Sequence, residues 1–195
     1  MSDADTSFSR LVSLAAHDLR TPLATIHGFA QTLVRMGDLG EPRQRYMEMI
    51  DAASRQLAEL LDELGLAARI EGGRYEPNLQ PVDVDELARS AADELGEDRV
   101  RVTGSGTSVR VDVDATRRGV TALTQAALRH GGLDEVECHA DGDSLTIRPV
   151  SPASAPVLLG EDLRDLGAAV AVLLVGALGG SVTRADDAVV VRLPT

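Results

Sequence analysis

Apolar residues in the first seventy positions recur in alternating steps of three and four, and this rhythm restricts the fold more than any other feature of the chain. Phe8, Val12, Ala15, Leu19, Leu23, Ile26, Ala30 and Leu33 form one run, and Tyr46, Ile50, Ala53, Leu57, Leu60, Leu64 and Ile70 form a second. Such spacing draws a narrow seam along one side of a helix, as in coiled coils, rather than a broad globular face. Between the runs, Gly37-Asp38-Leu39-Gly40 breaks the pattern, and Pro42 suits the first turn of a new helix. The spacing predicts two helices of about 29 residues, each over roughly 40 Å long at ~1.5 Å per residue, folded as an antiparallel hairpin. One hairpin cannot cover both seams. A second copy would complete a four-helix bundle, so a homodimer through residues 8–70 is expected.

Gly72-Gly73-Arg74-Tyr75-Glu76-Pro77 marks a boundary, after which the periodicity changes. The expected domains are 1–72, the helical hairpin, and 73–195, an α/β sandwich. In the second, Asp83 with Glu86 three positions on reads as a capping box for a helix ending near Leu95. Val100–Val102 and Val109–Val113 alternate as half-buried strands do. Ala115–His130 is helical, and Val136–His139 with Leu145–Val150 reads as a hairpin around Asp141-Gly142-Asp143. Ser151–Pro156 is a loop, and Asp162–Leu178 is a strongly apolar helix closed by Gly179-Gly180. Val182–Arg184 and Val189–Leu193 pair around Asp186-Asp187. Three helices and about five mostly antiparallel strands give a two-layer sandwich.

Composition narrows the function classes. The 195 residues carry 19 basic and 31 acidic side chains, a net charge of −12, with no basic cluster. Such a chain repels phosphate backbones, so no nucleic-acid partner is expected. Cys138 is the single cysteine, which excludes a disulfide framework and a multi-thiolate zinc site. The residues after Met1 show no basic and apolar signal-peptide pattern, and the longest apolar run, Leu166–Leu178, falls short of the ~18 residues that span a bilayer. A soluble, cytoplasmic protein without a membrane partner is expected. Aromatics are only 2% of the chain, so the core must be Leu, Val and Ala.

The chemistry concentrates in His17-Asp18-Leu19-Arg20-Thr21-Pro22-Leu23. His17 lies off the apolar seam and faces water, with Thr21 one turn on along the same face. Asp18 can accept a hydrogen bond from one ring nitrogen, which fixes the tautomer and leaves the other nitrogen as a nucleophile. Pro22 removes a backbone hydrogen bond and bends the helix beside the histidine, at a cost of ~3 kcal/mol. Of the other histidines, His27 reads as a surface residue, and His130 and His139 beside Cys138 read as surface histidines around a core thiol rather than metal ligands.

This segment, followed by Ile26, Gly28 and Phe29, resembles the phosphoacceptor motif of sensor histidine kinases. Ala68–Gly73 is similar to the end of that family's second dimerisation helix. Pro81–Leu87 is similar to the entry into its ATP-binding domain, and Leu178–Val182 and Val191–Pro194 to the closing elements of that domain. The resemblance implies His17 as nucleophile, Asp18 as its orienting base and Thr21 as a water-positioning residue for dephosphorylation. It gives Arg20 a contact to the phosphoryl group or to an acidic receiver surface.

The chain departs from the family where nucleotide should bind. The family's magnesium-binding asparagine falls on Ala126, and the asparagine one turn earlier falls on Ala122. Alanine offers no oxygen to a hard cation. Ser151-Pro152-Ala153-Ser154 stands where an Asp-x-Gly-x-Gly loop would read adenine, and the glycine-rich phosphate loop is reduced to Asp165-Leu166-Gly167-Ala168-Ala169. A carboxylate at Asp165 would repel a triphosphate from the helix mouth. The expectation is a dimeric histidine phosphotransferase of a bacterial phosphorelay, without autokinase activity and without ATP or a metal of its own. It passes a phosphoryl group through His17 between receiver-domain aspartates, and the receiver supplies Mg²⁺. Its partners are response-regulator receivers, a hybrid histidine kinase among them. Two rivals are a pseudokinase that binds or dephosphorylates a response regulator, and an active histidine kinase with a divergent nucleotide site.

Overall fold

The computed structural model describes Arg20, residues 23–35 and residues 43–195. The chain divides into two compact units between Tyr75 and Glu76.

In the first unit, residues 23–35 form helix α1 and Arg43–Glu71 form helix α2, 29 residues long. Leu, Ala, Met, Arg and Glu dominate α2, and no proline interrupts it, as a long helix requires. It stops at Gly73, whose φ of +63° is strained for any side chain. The N–H of Arg74 donates to the Arg69 carbonyl at 2.8 Å and that of Gly73 to Ile70 at 3.0 Å, the crossed pair that satisfies a helix's last carbonyls. Leu23 packs with Ala58 and Leu61, while Arg20 pairs with Asp62 further along and His27 meets Asp51 further back. The two helices therefore run antiparallel. Much of the predicted seam faces away from this contact: Ile26, Leu33, Ile50, Leu57, Leu60 and Leu64 are exposed.

The second unit begins with strand β1 (Leu79–Asp83) and helix α3 (Val84–Leu95). Strands β2 (Val100–Gly106) and β3 (Ser108–Asp112) lead into helix α4 (Val113–Gly131). Strands β4 (Val136–Gly142) and β5 (Ser144–Arg148) follow, then the short helix α5 (Ala155–Leu158) and helix α6 (Leu166–Ala177). Strands β6 (Ser181–Ala185) and β7 (Ala188–Arg192) close the unit. One sheet has the order β2-β4-β5-β7-β6, with β2 parallel to β4 and every other pair antiparallel. β1 and β3 form a separate antiparallel pair. Val100, Val136, Cys138, Ala140, Leu145, Ile147, Val189 and Val191 turn to one face of the sheet and share a core with Leu87, Leu123, Leu128, Val157 and Leu158 from the helices. Apart from Cys138, that core is aliphatic. Among the described residues no helix is long and apolar enough to cross a membrane.

Several local expectations need correction. β1 carries no clear strand signal because Pro81 interrupts its pattern; it survives as half of a two-stranded ribbon, where a missing donor is tolerated. The second expected strand, β3, pairs with β1 rather than joining the main sheet. Helix α3 starts where predicted, but Asp83 makes no side-chain cap; the neighbouring Asp85 instead accepts from the Gly106 N–H at 3.1 Å. Helix α6 begins at Leu166 rather than Asp162, because the Asp165 carboxylate caps it by accepting from Ala168 N–H at 3.1 Å. Within the expected Ser151–Pro156 loop, Ser151 and Ser154 bond each other and launch α5.

Candidate functional site

His17, Asp18 and Thr21 lie outside the described residues. Arg20 is described: it pairs with Asp62 of α2, and both side chains are about half exposed, 47% and 49%. An ion pair this wet contributes about 0–1 kcal/mol, so a second anion can draw the guanidinium away at little cost. His27, expected on the surface, is half-buried with Nδ1 3.0 Å from Oδ1 of Asp51. Asp51 is itself buried and pairs with Arg55 one turn along α2. The two atoms are close without being aligned as a hydrogen bond, since neither has a hydrogen-bond partner. The sequence signal for Asp51 was its i,i+4 spacing to Arg55.

In the second unit, Ala122 and Ala126 lie on α4 and Asp165 at the start of α6, while Ser151–Ser154 precede α5. Gly119 on α4 lies against Ala171 and Leu174 of α6, so closely that an added Cβ would stand 3.4 Å from Ala171 Cβ. Eleven residues on, His130 Nε2 lies 3.0 Å from the carboxylate of Asp165, at the start of α6. The helices thus run antiparallel along the α4 face of Gly119, Ala122, Ala126 and His130. Ala126 is fully buried, in one core with Ala155, Val157 and Leu158 of α5 and Ala168 and Ala171 of α6. Small residues on α4 allow this approach, and α5 fills the space beside it. Asp165 caps α6 through one oxygen, while the other faces His130 and, at 3.5 Å, Arg129. The last turn of α4 therefore offers Arg129 and His130 to a carboxylate of the same chain. His130, expected on the surface, is in fact half-buried in this contact.

Cys138 is fully buried against the helices, and burial pushes its thiol up to about 11, which leaves it an inert core group. His139 is the next residue on β4 and points to the opposite face, so the two cannot share an ion. Among the described residues no group of three or more His, Cys, Asp or Glu is arranged to hold a metal. On that opposite face the Glu137 carboxylate accepts from Arg148 Nε at 2.9 Å and from the Thr103 hydroxyl at 2.6 Å. These bonds hold its acidity at about 2, well below the usual carboxylate range, with the Arg148 contact the larger cause. His139, expected to be solvated, is half-buried and joined to Thr103 through Nδ1 at 2.9 Å. No sequence pattern signals this cluster, because its members meet only through strand register.

Comparison with known proteins bears on both units. Residues 9–73 match the His Kinase A (phospho-acceptor) domain family. Over 158 residues, 74% of this chain, it is 31% identical to an uncharacterised sensor-like histidine kinase of Rhizobium meliloti, of which it spans 30%. Over 88 residues, 45% of this chain, it is 34% identical to the "Probable sensor histidine kinase TcrY" of Mycobacterium tuberculosis, of which it spans 18%. The chain thus covers less than a third of either relative. Full-length ShkA, crystallised in complex with AMPPNP, superposes with a TM-score of 0.67 over 93% of this chain and 44% of that one, at 19% identity. A phosphoacceptor helical unit followed by an α/β unit of the kinase ATP-binding type, in that order along one chain, places it in the sensor histidine kinase family.

Proposed function

We propose that this chain is a histidine phosphotransferase rather than an autokinase. It works as a cytoplasmic homodimer and relays phosphoryl groups between receiver domains of response regulators through His17. One observation carries the reading: the α4 face that holds Gly119 and Ala126 is packed against α5 and α6, and the Asp165 carboxylate meets Arg129 and His130 at its end. A nucleotide entering there would have to pry apart packed helices, displace a carboxylate, and find no oxygen ligand for its cation.

In the reaction, a ring nitrogen of His17 attacks the phosphorus of a receiver's aspartyl phosphate in line. The N–P bond forms as the P–O bond breaks, and the electron pair leaves with the receiver carboxylate. Asp18 orients the imidazole and faces the positive charge that develops on it. Positioning and electrostatics supply most of the acceleration in such transfers. Mg²⁺ belongs to the receiver's acidic pocket in this scheme. Arg20, held only by an exposed pair with Asp62, is free to turn toward the incoming phosphoryl group or the receiver's acidic surface. Thr21 serves hydrolysis rather than transfer, by orienting a water.

Two incubations of the pure protein test this, one with γ-labelled Mg·ATP and one with a labelled, phosphorylated receiver. Label should arrive from the receiver alone, be stable to alkali and labile to acid, and disappear in His17→Ala. Asp18→Asn should slow transfer by roughly 10²–10⁴-fold without abolishing it. Efficient labelling from ATP would establish the active-kinase reading instead. Receiver binding without any transfer would establish the pseudokinase.

A further inference from the structure

Two carboxylates of α2 meet side chains from the first helix of the hairpin, and they are committed to different degrees. Asp51 is buried, with Oδ1 beside His27 Nδ1 and Oδ2 paired with Arg55 of its own helix. Asp62 is 49% exposed and pairs with Arg20, itself 47% exposed. Water already shares both groups of this second pair, so parting them costs little. Leu23, three positions after Arg20, packs on Ala58 and Leu61, beside Asp62. Apolar contact therefore holds the backbones there, and the guanidinium can leave Asp62 without moving either helix. Arg20 stands three positions after His17, the spacing at which side chains of one helix are neighbours. A phosphoryl group carries up to two charges and three acceptor oxygens, against the single charge of Asp62. An arginine fork meets two such oxygens at once. The stronger anion takes the guanidinium.

We propose that Asp62 is a positioning residue for the phosphoryl group on His17, acting through Arg20. While His17 is free, Asp62 stores the guanidinium on α2. When His17 is phosphorylated, the guanidinium exchanges the carboxylate for phosphoryl oxygens. Because Asp62 competes for the same cation, Arg20 grips the group without trapping it, as an intermediate that must be passed on requires. The exchange rests on the proposed role of His17 as phosphoryl acceptor, and on no particular donor.

Phosphoramidate, a small phosphoryl donor that needs no receiver, can charge the histidines of the full chain directly. The ³¹P resonance of phospho-His17 is then the one missing from His17→Ala. Its pH titration reads the second ionisation of the phosphoryl group, which a neighbouring cation lowers. At 0.15 M salt, where charges beyond ~8 Å are screened, Asp62→Asn should lower the midpoint by up to about 0.7. That fall is the ~1 kcal/mol limit of an exposed pair converted at about 1.36 kcal/mol per pH unit. Asp62→Glu should return the parental midpoint, and Arg20→Gln should raise it. With Arg20→Gln in place, Asp62→Asn should lower it far less, because Asp62 acts through the arginine. A packing role for the pair would move none of these midpoints. An unchanged midpoint in Asp62→Asn, or an equal fall with and without Arg20, overturns the exchange while leaving His17 as the acceptor. Absence of any phospho-His17 resonance overturns both.

Discussion

Glu137 illustrates how a single side chain takes its properties from strands distant in sequence. Its partners Arg148 and Thr103 lie 11 and 34 positions away, and only the register of β2, β4 and β5 brings them to one point. The ionised form is favoured in the fold, with its acidity held at about 2 against an ordinary 4.5. The stabilisation is therefore complete above about 4.5 and is lost as pH falls toward about 2. Glu137→Gln keeps the shape and removes the charge. Thermal melts should show the variant below the parent at pH 7, with the gap narrowing through that window and closing near its lower end. A gap independent of pH would mean that the charge contributes nothing. Added salt should also shrink the gap at pH 7, because Arg148 and Arg101 are half exposed or more. Residue-level legibility was uneven for the same reason. The proposal that alanine at 122 and 126 and the acid at 165 replace nucleotide contacts rests on residue type alone, on what such a residue cannot do. The use of Asp165 as a helix cap that engages His130 depends on two helices meeting, which no local pattern encodes.

At the scale of elements, helices were legible because their apolar period persists over many turns, and the hairpin strands because Gly and Asp clusters punctuate them. Two short pieces escaped. β1 carries a proline, and α5 is a four-residue turn of helix held by the Ser151–Ser154 bonds rather than by any propensity. In the proposed reading, α5 and α6 decide what α4 can do. Restoring an asparagine at the family's position tests that dependence. Ala126→Asn would put an amide into a site with no exposure, where an unsatisfied polar group costs about 1–3 kcal/mol. Urea unfolding should register a loss of that size. Calorimetry with Mg·ATP should still give no heat, because the packed helices and the Asp165 contact remain. Micromolar nucleotide binding by this variant would show that the helix packing does not keep nucleotide out.

At the scale of the whole molecule, the helical unit exposes apolar side chains that a stable protein in water ordinarily covers. Leu57 is 50% exposed, and Ile26, Leu33, Ile50, Leu60 and Leu64 also reach solvent, on helices whose mutual contact uses Leu23, Ala58 and Leu61 instead. Leu23 and Ala30 of the predicted seam are buried, while its exposed members remain for a second partner, which the proposed homodimer would supply by pairing seam with seam. Leu57→Asp distinguishes folding from association, because position 57 is open enough in one protomer to accept a carboxylate. Across a twofold interface the same substitution enters twice. Desolvating an unpaired carboxylate costs several kcal/mol, and 1.4 kcal/mol is a tenfold change in affinity, so dissociation should increase at least about 100-fold. Light scattering at micromolar concentration should give about twice 20.6 kDa for the parent and about 20.6 kDa for Leu57→Asp, with helicity retained in both. Leu163→Asp, at a 78% exposed leucine of the second unit, should leave the dimer intact and so exclude a general effect of added charge. A parent that scatters as a monomer would remove the homodimer, and the exposed seam would then belong to a different protein.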